Sequence, residues 1–377
     1  MTNWLQSMFD QTIAQKIENA PWIDHYTPVL IYGTGTFAQD IYHTLVDHGL
    51  PVLGFLDHIE RERNSLNGIP IYKPDAARAI NLNKTVVVLG IHNYQADIPQ
   101  IIQRLNNTGF QKIVSSVELY DYFGSVLGVR YWLTSRSFYL PLRSILEEAY
   151  SLWSDEASKA LFQSIIKFRL TGDASILPAP DLTPYRPVDL PLWQTPLRFI
   201  DCGAYDGDTL TDFIKSDIPF QSVAAFEPDL KNCMRLTDFA NSQKEKFPNI
   251  FIYPCGVYSS TTQLAFETGR EMASAISSKG TTMIQCVALD DVLPNFAPNL
   301  IKMDIEGSEY EALLGARQTI AEHTPGLALS LYHRPEHLWQ LPLLVESIAP
   351  HRYRFFMRSH ARNDFELVLY AMPVERE

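Results

Sequence analysis

The 377-residue sequence lacks any uncharged apolar run of about 18 residues, lacks a block of Lys and Arg, and contains only four cysteines. The first absence leaves no segment fit to cross a bilayer as a helix. Polar Gln, Asp and Thr between Met1 and Lys16 also interrupt the apolar core that a secretory signal requires. The second absence, in a chain with 31 Lys and Arg against 43 Asp and Glu and a net charge of −12, removes the attraction on which phosphate-backbone binding depends. Nucleic acid and membrane are therefore not expected as partners. Cys202, Cys233, Cys255 and Cys286 lie roughly 30 residues apart with no C-x-x-C, which argues against a zinc cage or a disulfide frame and predicts buried thiols in a reducing compartment. Together these absences predict a soluble, cytoplasmic protein. With 46% hydrophobic and 12% aromatic residues the chain can fill cores, and its length suggests two or three domains joined by ordered linkers, since 24 prolines outnumber 18 glycines.

Trp4, Leu5, Met8, Phe9, Ile13 and Ile17 recur at helical spacing, so residues 1–27 are expected to hold an amphipathic docking or dimer-contact helix, and the chain a possible homo-oligomer. From Pro28 the order is apolar strand (Val29 to Tyr32), glycine turn, helix (Phe37 to Asp47) and strand (Val52 to Leu56), a βαβ unit. The strands Val86 to Leu89 and Lys112 to Val114, with a helix between them, continue a small Rossmann-like parallel sheet over residues 28–125. Residues 126–196 read as helical (142–170) and then Pro-rich (178–196, six prolines), hence extended and stiff. Over residues 197–377, apolar strands at Arg198–Ile200, Val223–Phe226, Ile250–Tyr253, Leu300–Met303 and Leu327–Leu331 alternate with helices in a second, parallel sheet. A hairpin, Tyr353–Met357 and Phe365–Tyr370, closes the chain around a turn with Asn363-Asp364.

Two glycine loops differ in chemistry. The first, Gly33-Thr34-Gly35-Thr36-Phe37-Ala38, fits G-x-G-x-x-G/A between a strand and a helix, and Asp57 stands 22 residues after Gly35 at the end of the next strand. Glycine backbone and a helix N-terminus suit an anion, so Gly33, Gly35 and Asp57 are a candidate nucleotide site. A plain tight turn is the competing reading. This stretch, with Gly54 to Asp57 and Asn67 to Ile71, loosely resembles the small Rossmann-like domains attached to sugar-modifying enzymes. The second loop, Phe199-Ile200-Asp201-Cys202-Gly203-Ala204-Tyr205-Asp206-Gly207-Asp208, is crowded with carboxylates that would repel a pyrophosphate. They would attract S-adenosyl-L-methionine, whose sulfonium and ammonium are positive. Twenty residues after Gly207, Glu227 in Phe226-Glu227-Pro228-Asp229 ends a strand, where an ionised carboxylate can accept from both ribose hydroxyls.

Leu300-Ile301-Lys302-Met303-Asp304-Ile305-Glu306-Gly307-Ser308-Glu309-Tyr310-Glu311 through Ala316 resembles the signature of the FkbM family of methyltransferases. With Phe199 to Gly207, Glu227 and Ala288-Leu289-Asp290-Asp291, the likeness covers about residues 197–370. It implies an α/β class I methyltransferase sheet, mostly parallel with a C-terminal antiparallel hairpin, which transfers methyl from S-adenosyl-L-methionine to hydroxyls of sugars or secondary metabolites. It further implies cofactor contacts from Asp201, Gly203, Ala204, Gly207 and Glu227, with Asp304 and Glu306 at the active-site opening. Cys255-Gly256-Val257 lacks the acid that many methyltransferases place against the adenine amino group.

A sulfonium methyl needs only alignment with its nucleophile, but a hydroxyl acceptor also needs its proton removed. Asp304 at a strand end on the carboxyl edge, Glu306 sent to the same side by strand alternation, and His333 at the next strand end are the expected catalytic residues. Helix capping competes for both acids. One of the two acids could instead ligate a divalent metal, but the metal-free reading is favoured because no second and third oxygen ligand is evident. His333-Arg334-Pro335-Glu336-His337 spells H-x-x-E-H, but Pro335 works against the continuous helix that this pattern requires. Met272-Ala273-Ser274-Ala275 is a candidate substrate loop or an ordinary hairpin. The reading reached is an S-adenosylmethionine-dependent O-methyltransferase acting on a small-molecule or carbohydrate acceptor. The competing readings are a nucleotide-sugar or NAD-dependent oxidoreductase centred on Gly33 and Asp57, and a non-catalytic ligand-sensing or scaffold protein.

Overall fold

The computed structural model describes Leu5, Phe9 and residues 24–58, 64–74, 82–191, 193–267, 275–276 and 282–374. Apart from Leu5 and Phe9, both helical, the helix expected over 4–17 lies outside the described residues, as do Met272, Ala273 and Ser274. The chain divides into two compact units: Met1–Glu148 with Ala160–Pro180 and Ala361–Phe365, and Ala149–Lys159 with Asp181–His360 and Glu366–Glu377. Residues 126–196, expected as one linker, are thus shared between the two. The helices Arg143–Leu152 and Glu156–Thr171 bury Leu146, Phe162, Ile165 and Ile166, and a helix with such an apolar stripe joins a core instead of spanning solvent.

The first unit contains β1 (Val29–Tyr32), α1 (Thr36–Asp47), β2 (Val52–Leu56), β3 (Ser65–Leu66), β4 (Ile69–Tyr72), β5 (Val86–Leu89), α2 (Ile98–Thr108), β6 (Lys112–Val114) and α3 (Ser116–Leu127), with sheet order β3-β4-β2-β1-β5-β6. Every pairing is parallel except β3 with β4. Unbroken apolar strands such as β5 (Val-Val-Val-Leu) are buried along their whole length, as a parallel sheet covered on both faces demands. α3 opens with a capping box, Ser115 Oγ accepting from the Glu118 amide while Glu118 accepts from that of Ser115.

The second unit is built on β7 (Leu197–Cys202), β8 (Phe220–Phe226), β9 (Ile250–Tyr253), β14 (Leu300–Met303), β15 (Gly326–Ser330), β16 (Tyr353–Ser359) and β17 (Leu367–Pro373), ordered β16-β17-β15-β14-β7-β8-β9. β15 through β9 run parallel, and β17 is antiparallel to both β15 and β16, so the expected C-terminal hairpin is present. The covering helices are α4 (Asp208–Lys215), α5 (Leu230–Ser242), α6 (Leu289–Val292), α7 (Glu309–Leu314), α8 (Arg317–His323) and α9 (His337–Ile348). The insertion between β9 and β14 is a second small sheet: β10 (Gly256–Val257), β11 (Thr262–Glu267), β12 (Ala275–Ile276) and β13 (Thr282–Val287), ordered β10-β13-β11-β12. Phe199, Leu210, Phe213, Val223 and Leu236 form part of the core beneath β7 and β8. All four cysteines are free and buried. From β7 the chain proceeds to β8 on one side, while β14 flanks it on the other. The strand order therefore reverses at the carboxyl ends of β7 and β14, the place where open α/β sheets hold ligands.

Candidate active site

The second glycine loop leaves β7 at Cys202. Gly203, at φ +81, approaches the next strand so closely that a Cβ there would stand 2.0 Å from the Asp304 carbonyl oxygen, which makes this position one for glycine. The amides of Gly203 and Ala204 both donate to the Phe226 carbonyl at 3.0 Å, tying the loop to the end of β8. Gly207, at φ +91, precedes α4, with the Phe239 ring 2.6 Å from where a Cβ would be. Glu227 follows β8 directly and is buried. Its Oε2 accepts from the Tyr205 amide at 2.9 Å and its Oε1 from the Asp229 amide at 2.8 Å. Each carboxylate oxygen thus has one backbone donor and keeps lone-pair capacity for a second. Burial raises this carboxyl to about 7 despite those two amides.

Asp201 is fully buried. Its Oδ1 pairs with Lys302 Nζ at 3.0 Å, and the same ammonium donates to the Gly203 carbonyl at 2.8 Å. Asp201 therefore acts on the glycine loop through Lys302 and not by facing solvent. Burial outweighs the lysine and raises the Asp201 carboxyl to about 6.

β14 stops at Met303, so strand alternation does not carry Glu306. The chain turns instead, with Glu306 at φ +56 and Gly307 at φ +100. The turn is fixed by Arg334 Nε donating to the Gly307 carbonyl at 2.9 Å and by the Ile305 amide donating to Glu309 at 2.9 Å. α7 begins without a side-chain cap, so neither Asp304 nor Glu306 fills that role. His333 lies beyond the end of β15, and its position differs from expectation in the same way. It is buried, with Nδ1 2.7 Å from Glu309 and Nε2 3.4 Å from Asp304 and 3.7 Å from Glu306. Burial alone would lower the imidazole pKa. Glu309, Glu306 and Asp304 outweigh it and raise the ring to about 10, while His333 in turn draws Glu309 down to about 2. His333 is thus an imidazolium at neutral pH and has no lone pair to act as the base expected of it. His337, the first residue of α9, stands 3.3 Å from the other oxygen of Glu309. The two histidines of the H-x-x-E-H string therefore converge on a carboxylate.

Asp304, Glu309 and His333 bring ligand-type atoms within 4.8 Å of one another. The two ring nitrogens of His333 each face one of these acids, Nδ1 towards Glu309 and Nε2 towards Asp304. Burial and the Asp304 charge raise Glu306 to about 8 and Glu366 to about 7. Glu366 accepts from the Tyr332 hydroxyl at 3.0 Å. Asp304 and Glu306 keep 24% and 20% of their side chains exposed, so both reach the opening.

Sequence reasoning passed over several of these groups. Tyr185, from the Pro-rich segment, is buried against Lys302 and donates its hydroxyl to Asp304 Oδ2 at 2.9 Å. Nothing in its local sequence sets it apart. Lys302 and Glu309 stood inside the quoted signature, and an isolated Lys within an apolar strand was the one available signal. Asp290 proves structural: its carboxylate accepts from the Gln318 and Thr319 amides and caps α8. In the first unit, Gly33 at φ +108 and Gly35 lead into α1 as expected, and Asp57 is buried at the end of β2. Asp57 Oδ2 accepts from Thr34 of the same loop at 2.7 Å.

Among the described residues no helix is long and apolar enough to cross a membrane. Residues 201–367 match the family model of the methyltransferase FkbM domain. No curated protein matches the chain. Among solved structures, methyltransferase FkbM from Methylobacillus flagellatus KT is 22% identical, covers 98% of this chain and 98% of its own, and aligns with a TM-score of 0.81, a likeness of fold. Residues 201–367, a little under half of the chain, are accordingly similar to the methyltransferase FkbM domain.

Proposed function

We propose that this protein is an S-adenosylmethionine-dependent methyltransferase that methylates a hydroxyl oxygen of a small-molecule or carbohydrate acceptor. The observation that carries the reading is the union of the Gly203–Gly207 loop with Glu227. Two backbone amides aim the carboxylate and leave each oxygen able to accept one more donor, as a vicinal ribose diol requires. The acidity of this edge also suits a ligand bearing positive charge. When bound, S-adenosylmethionine supplies an already activated methyl group. Glu227 would hold the ribose, and the Gly203–Gly207 backbone would lie against the methionine part, with Asp201 and Lys302 holding that loop in shape. Asp304 would take the proton of the acceptor hydroxyl, and Glu306 beside it would help to orient that hydroxyl. His333 would balance part of their charge. Asp57 of the first unit accepts from Thr34 of its own glycine loop, and the ligand panel below separates the competing oxidoreductase reading centred there.

A thermal-shift panel tests the reading. A ligand present at about 100 times its dissociation constant adds about 2.7 kcal/mol. S-adenosylmethionine and S-adenosylhomocysteine should stabilise the protein, whereas NADH and UDP-sugars should not. The reverse pattern would refute the proposal.

A further inference from the structure

The carboxyl edge holds more buried acid than its own cations neutralise. Lys302 is engaged by Asp201, His333 is shared among Glu309, Asp304 and Glu306, and His337 meets only the other oxygen of Glu309. Glu366, which reaches the cluster from the start of β17, forms no ion pair among the described residues and is met by the Tyr332 hydroxyl. Glu306 forms no hydrogen bond among the described residues, and its nearest cationic atom is His333 Nε2 at 3.7 Å. The groups around Glu306 are therefore Asp304 on its own turn, Glu309 on α7, His333 after β15 and Glu366 before β17. Arg334 is occupied with the Gly307 carbonyl. This set has four carboxyls and one imidazolium, so a further positive charge arriving there is drawn in, and a neutral one is not.

We propose that this acidic edge distinguishes S-adenosylmethionine from S-adenosylhomocysteine by charge, holding the charged methyl donor and letting the neutral product go. The proposal rests on the cofactor assignment above. In the transfer the S–CH3 bond breaks and an O–CH3 bond forms. The sulfonium becomes a neutral thioether, and the hydroxyl proton passes to a carboxylate of the edge. After turnover the cofactor has lost the charge that attracted it, and the edge carries one more proton. Burial and mutual repulsion raise Glu306 to about 8 and Glu366 to about 7, so the attraction should strengthen as pH rises through that range. Affinity for the neutral product should not rise with it.

Calorimetric titration of the full chain with each of the two compounds, at about pH 6 and about pH 8.5, decides the matter. The preference for S-adenosylmethionine over S-adenosylhomocysteine should grow roughly tenfold or more between the two conditions. Glu306→Gln, and separately Glu366→Gln, should each reduce that growth. A preference constant within about threefold in the wild type, with both compounds binding, would overturn the inference and leave the cofactor assignment standing. If neither compound binds, the cofactor assignment fails and the inference fails with it.

Discussion

The Tyr185 hydroxyl donates to Asp304 Oδ2 across 2.9 Å, although 119 residues separate the two in sequence. Tyr185 is held from several sides: its amide donates to the Tyr370 hydroxyl at 2.9 Å, Trp193 Nε1 donates to its carbonyl at 2.7 Å, and its ring faces the Lys302 ammonium at 5.4 Å. Asp304 is thus fixed by Tyr185 on one oxygen and faces His333 with the other.

Tyr185→Phe keeps the ring and removes only this donor. It should cost about 1 kcal/mol of stability, leave S-adenosylhomocysteine affinity within about twofold, and lower turnover severalfold. Thermal melts and titration read the first two effects. Unchanged stability and turnover would reduce Tyr185 to a core residue.

Asp304→Asn preserves shape and removes charge. Cofactor affinity should stay within a few-fold of wild type, while turnover of any acceptor should fall roughly 10²–10⁴-fold and be insensitive to chelators. Retained activity would take Asp304 out of proton transfer. Chelator inhibition of the wild type would replace the base assignment with a metal role.

On the proposed cofactor reading, Glu227→Ala removes the carboxylate assigned to the ribose hydroxyls, a class of hydrogen bond worth about 1.5–3 kcal/mol. Calorimetry should record at least about a tenfold loss of S-adenosylmethionine affinity with the fold intact. Equal affinity would leave Glu227 as a brace for the amides of Tyr205 and Asp229.

The pair of His333 and Glu309 makes stability depend on pH. His333 rises from 6.5 to about 10 on folding, so its contribution is complete below pH 6.5 and is lost as pH climbs through 10. Glu309 falls from 4.5 to about 2, so its contribution is complete above pH 4.5 and is lost as pH drops through 2. The pair therefore contributes fully between pH 4.5 and 6.5. Melting curves across pH should show a decline above that window that His333→Asn flattens. A variant with the same alkaline decline would place the titrating group elsewhere.

The sequence alone settled what local chemistry settles. Runs such as Val86-Val87-Val88-Leu89 have only one way to bury every side chain, glycines at 203 and 207 meet the backbone demands of a loop turning from strand to helix, and Glu227 before proline marks a strand end. Its residue pattern was enough to indicate the likeness to the FkbM methyltransferase domain that the family model finds over residues 201–367. Tertiary structure decided what depends on contacts between distant segments. It shared residues 126–196 between two units because their helices had apolar faces to bury. It brought Tyr185 out of a Pro-rich stretch onto Asp304, and it placed Glu306 by a left-handed turn where a strand period was expected. It also made His333 a cation, since the charge of a buried imidazole is set by the carboxylates packed around it, and Glu309, Asp304 and Glu306 meet that ring only in the folded chain.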